Sequence, residues 1–151
     1  MKNEKKDLKL YNVIFPVWML ILFPAVWLIV LPGNFIIDSL VLVASTFALK
    51  LSNKRSFYLK HIFKIFLFGL ISDAVGSGFM LLTLSLEWSV TADELYFTLP
   101  AVIISAGVIF ALNYFFTFKM METKKRSKLA LTFAIATAPY TFLIPTAWLL
   151  A

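Results

Sequence analysis

Cysteine is absent from all 151 residues, which removes disulfides, thiolate metal ligands and cysteine nucleophiles together. Histidine occurs once, at His61, so no zinc constellation can be assembled. Gly76-Ser77-Gly78 invites comparison with intramembrane serine proteases, but the GxSG pattern needs glycine where Val75 stands. His61 is about 24 Å from Ser77 along a shared helix, too far to act as its base. The five glycines form no phosphate-cradling loop, and the connections are too short for a soluble catalytic domain. These absences leave only an enzyme acting on lipid inside the membrane as a minor alternative. The chain is expected to be no enzyme and to hold no cofactor and no metal.

Charge is also scarce. Only 15% of residues are charged, against 61% hydrophobic, 17% aromatic and a mean hydropathy of +0.89. That is too little charge to cover one soluble core, so a bilayer is the natural solvent. The net charge of +6 does not indicate nucleic-acid binding, because of where the basic residues lie. All 14 Lys and Arg fall in three clusters: Lys2 to Lys9, Lys50 to Lys64 and Lys119 to Lys128. The turnarounds between them, around Leu31-Pro32-Gly33-Asn34 and around Glu87 to Glu94, contain no basic residue. Basic residues collect on the cytoplasmic side of membrane proteins, so the alternation predicts repeated crossings.

A crossing helix needs about 20 apolar residues. On that rule the chain reads as one all-α domain, residues 1–151, with five transmembrane helices. They run over about 10–31, 34–51, 61–86, 95–118 and 129–151, with the N-terminus inside and the C-terminus outside. Pro32-Gly33 is expected to break the first from the second in a tight turn, with Asp38 close to the outer face. The third is long enough to need tilt or an interfacial extension. The first helix is read as retained rather than as a cleaved signal, since its apolar stretch exceeds a typical h-region. Pro16, Pro24, Pro139 and Pro145 predict kinks, with Thr137, Thr141 and Thr146 available to satisfy the freed carbonyls.

One charge breaks the ladder. Asp73 is placed near mid-membrane, where a carboxylate costs at least a few kcal/mol. No Lys or Arg is expected at its depth. Gly69, Asp73, Gly76, Ser77 and Met80 share one helical face, small and polar among Phe, Leu and Ile. Ser105, Asn113 and Thr117 of the fourth helix and Thr137 and Thr141 of the fifth suggest a polar seam where helices three, four and five meet. Read plainly, Asp73 is a polar staple worth about 0.5–2 kcal/mol. Read functionally, it binds a proton, a cation or a cationic group.

The resulting expectation is a small membrane protein forming a transport path or channel for a proton, cation or small solute. Asp73, Ser77, Gly76, Ser105, Asn113, Thr117 and Thr141 are its candidate site residues. The alternative is a non-transporting interaction, regulatory or immunity subunit whose seam receives a partner helix. Lys124, Lys125, Arg126, Lys128, Lys60 and Lys64 are expected to contact anionic lipid headgroups on the inner side. A homo-oligomer or a membrane-protein partner is expected, in a bacterial cytoplasmic membrane. No motif assigns the chain to a family.

Overall fold

The computed structural model describes residues 24–85 and 95–143, and these are helical, with no strand among them. The elements are α1 (Pro24–Ala48), α2 (Lys54–Ser85), α3 (Leu95–Leu112) with a π-helical turn (Asn113–Thr117), α4 (Thr123–Ala136) and a 3-10 turn (Tyr140–Leu143). Three segments are long and apolar enough to cross a membrane: Trp27–Ala48, Lys54–Thr83 and Thr98–Thr117. They leave Leu28, Ile29, Leu40, Phe63 and Ile103 more than half exposed, a surface compatible with an integral membrane protein.

The break expected at Pro32-Gly33 is not there: α1 runs unbroken through both residues. Proline in a helix interior costs about 3 kcal/mol. Ending a helix inside hydrocarbon strips partners from several backbone groups at several kcal/mol each, so continuing through the proline is cheaper. This corrects two expectations, a second span starting at Asn34 and Asp38 lying near an outer face. Asp38 sits in the middle of α1 and is 4% exposed. The expected first span lies largely in residues 1–23, outside the described residues, as do the Glu87 to Glu94 turnaround and residues 144–151.

At its other end α1 closes with paired bonds, Leu51 N–H to Thr46 O and Lys50 N–H to Phe47 O, both 3.1 Å. Lys50 takes a φ of 49°, the left-handed position that normally selects glycine. The lysine places a cation beside the negative end of the helix. α2 then starts at Lys54, ahead of the expected start at His61.

The expected fifth helix also differs. α4 starts at Thr123 and ends at Ala136, and Pro139 separates it from the 3-10 turn. Proline at 139 leaves the Ile135 carbonyl without its usual amide donor. The Tyr140 hydroxyl donates to that oxygen, whereas Thr137 Oγ1 donates to Phe133 O at 2.8 Å. The core falls into two apolar halves. Leu42, Ile65, Ile109, Phe118 and Phe133 pack near the α1–α2 connection. Met80, Ala101, Val102, Ala138 and Phe142 pack toward the far end. A polar layer divides them.

Candidate functional site

The polar layer has two contacts, one on each side of α2. On the α1 side, Asn34 and Asp38 lie one turn apart, as do Gly69 and Asp73 on α2. Asn34 Nδ2 donates to Asp73 Oδ2 at 3.2 Å. Asp38 Oδ2 approaches Gly69 so closely that a Cβ there would sit 3.6 Å from it. The pairs 34–73 and 38–69 run in opposite senses along the two helices, so α1 and α2 are antiparallel.

The two carboxyl groups therefore belong to the same α1–α2 contact, each one helical turn from the other helix's point of touch. Asp38 receives no hydrogen bond among the described residues, and neither acid has a basic partner there. Asp38 is about ten residues from either end of its membrane-length segment, or roughly 15 Å.

On the α3 side, the chain closes tightly. Ser72 Oγ donates to Ser105 O at 2.7 Å, and Ser105 Oγ donates back to Ser72 O at 3.1 Å. Both serines are fully buried. One turn on, a Cβ at Gly76 would lie 2.2 Å from Ser105 Oγ and 2.8 Å from Phe142 Cε2. Glycine is therefore needed there for close approach of α3 and of the 3-10 turn. Small residues at membrane helix interfaces serve this purpose generally.

Toward the basic end α3 widens into the π turn, where Phe118 N–H reaches Asn113 O at 2.9 Å. Asn113 Nδ2 donates to Ile109 O at 3.0 Å, while Asn113 Oδ1 and Thr117 Oγ1 are buried without partners among the described residues. Arg126 fixes the turn from α4. Its Nε donates to Tyr114 O at 2.6 Å, and its guanidinium lies 3.9 Å from the Tyr114 ring centroid. Lysine can copy neither the fork nor the flat stacking. Arg126→Lys is thus expected to lower stability by about 1–2 kcal/mol despite the conserved charge, read as a lower melting temperature in detergent.

The expected site residues are therefore divided. Asp73 meets α1, not the seam of the last three helices; its neighbour Ser72 makes the contact to Ser105. Gly76 and Ser77 are buried, and Ser77 Oγ has no partner among the described residues, like Thr98 Oγ1 on α3. Thr141 is exposed, and Phe142 beside it faces Gly76. Lys60, Lys64, Lys124, Lys125 and Lys128 are exposed, with Lys125 3.9 Å from Glu122, whereas Arg126 packs within the bundle. Asn34 and Asp38 were missed as site residues because the turn expected at Pro32-Gly33 removed them from a helix. With α1 continuous, Asn34, Asp38, Leu42 and Ser45 form a single face at helical spacing, which is the signal that would have found them. Among the described residues no cluster of acidic, histidine or cysteine side chains has the make-up of a metal site. Neither the family models, the curated proteins nor the solved structures compared with this chain include one that matches it.

Proposed function

We propose that the chain is a small membrane transport protein or channel in which Asp38 and Asp73 together take up a proton or small cation in transit. The supporting observation is that acids from two neighbouring helices share one contact, Asp38 against Gly69 and Asp73 bonded to Asn34, with no basic partner among the described residues. Intramembrane acids are costly, and they mark ion and proton pathways when no ion pair explains them. A passing proton or cation offsets the negative charge at this contact, and Asn34 orients Asp73 to receive it. Ser77, Thr98, Asn113 and Thr117, buried with unpartnered oxygens, are the further polar positions on such a path. By the positive-inside rule the basic end faces the cytoplasm of a bacterial cell. The reading needs α1, α2 and α3 to cross the membrane and does not depend on further crossings. Three helices enclose little lumen, so the path lies beside the acid pair or between copies in a homo-oligomer.

The test is flux in proteoliposomes under imposed proton, sodium and potassium gradients. The wild type is expected to conduct one of these ions above protein-free vesicles. A silent wild type, or flux unchanged when both acids are Asn, overturns the proposal. The alternative, a non-transporting subunit whose seam receives a partner helix, has less support. Ser72, Gly76 and Ser105 are already covered by this chain's own helices.

A further inference from the structure

The basic end carries a feature that orientation alone does not require. A pocket of about 540 Å³ opens between the α1–α2 connection, the start of α2 and the π turn of α3. Lys60, Lys64 and Lys119 reach it from two separate segments, and no acidic residue lines it. Ser56 lies in the first turn of the 32-residue helix α2, whose free amides carry partial positive charge. Thr117 also lines the pocket; it is 4% exposed and its Oγ1 has no hydrogen-bond partner among the described residues. His61 Nδ1 is bonded to Phe57 O at 2.7 Å, which leaves the other ring nitrogen of this pocket residue uncommitted. The remaining wall is apolar, from Leu51, Phe57, Phe116 and the methionines at 120 and 121.

We infer that this pocket binds a phosphate monoester or diester, held by Lys60, Lys64 and Lys119 with Thr117 as a buried hydroxyl donor. Three lysines lining one pocket, whose wall also includes Ser56 in the first turn of α2, match a phosphate in charge and in donor number. The apolar wall favours a phosphate that carries an acyl chain, as in an anionic lipid headgroup, over free phosphate. The contact is specific, unlike the general attraction of exposed lysines for a charged surface. It does not involve the acid pair, and Thr117 is the one residue that it shares with the transport reading.

The test measures thermal stability of the detergent-purified protein with added phosphatidylglycerol, phosphatidylcholine or inorganic phosphate. Phosphatidylglycerol is expected to raise the melting temperature, with phosphatidylcholine inert; a rise with inorganic phosphate alone identifies the free anion as the source. The triple variant Lys60→Gln, Lys64→Gln, Lys119→Gln is expected to weaken the dependence on ligand concentration at least tenfold. The triple variant Lys124→Gln, Lys125→Gln, Lys128→Gln removes equal charge outside the pocket and is expected to leave the response intact. Thr117→Val, which changes no charge and so leaves orientation alone, is expected to weaken binding severalfold. Equal losses in both triple variants, or an equal response to the zwitterionic lipid, overturn the inference.

Discussion

Replacing Asp38 or Asp73 with Asn is expected to reduce ion flux at least tenfold while leaving the bundle as stable as the wild type or more so. Asparagine keeps the shape of aspartate, and at position 73 its carbonyl still accepts the Asn34 bond. What it removes is one of two like charges at the same helix contact, where Asp38 is buried and Asp73 half-buried. Replacing buried charge by neutral groups of similar volume commonly stabilises by about 1–3 kcal/mol. The double variant is therefore expected to melt highest and conduct least, and parallel melting and flux measurements on the same preparations check this. A plain structural staple predicts the opposite ordering, in which stability falls and flux falls only with it. Asp73→Ala separates the two further, because it leaves Asn34 without its acceptor and lowers stability as well as flux.

The second large effect falls on Gly76. Alanine at this position places its methyl group within 2.2 Å of Ser105 Oγ and 2.8 Å of the Phe142 ring. The Ser105 hydroxyl can move only by abandoning Ser72 O, and the Ala101 carbonyl, 3.4 Å away, belongs to the backbone. Overpacking of this kind costs about 1–3 kcal/mol for one methyl, and valine is expected to separate α2 from α3. Gly78 provides the control. A Cβ there meets nothing within 4 Å, so Gly78→Ala is expected to be neutral or to stabilise by up to about 1 kcal/mol through helix propensity. Ser105→Ala combined with Gly76→Ala is expected to cost less than the two single changes added, because it removes the nearest clashing atom. Equal behaviour of Gly76→Ala and Gly78→Ala contradicts the close approach of α2 and α3.

Much of this arrangement is legible before any coordinates. Hydropathy finds the apolar stretches of α1, α2 and α3, each long and apolar enough to cross a membrane. Lys60 and Lys64 of one basic cluster and Lys119 of another line the same pocket, so these parts of the two clusters lie together. Asp73 stands out for its chemistry alone. The errors come from proline and glycine signals calibrated on chains in water. Pro32-Gly33 marks a turn where water can solvate freed backbone groups, and hydrocarbon removes that option. Missing the continuity of α1 hid Asn34 and Asp38 and assigned Asp73 to the wrong neighbours. The π turn at Asn113 was not legible either, because it depends on Arg126 bonding the Tyr114 carbonyl from another helix. A periodicity counted along one helix carries no trace of such a tertiary bond.

The most direct test of the acid pair is modification by a hydrophobic carbodiimide in native membranes, with the labelled residue located by mass spectrometry. The reagent couples to protonated carboxyl groups that it reaches through the lipid. The account predicts labelling at Asp38 or Asp73, one label per chain, ahead of the exposed Glu122, with flux lost in proportion. Labelling that follows exposure, with Glu122 modified and both aspartates untouched, would contradict it.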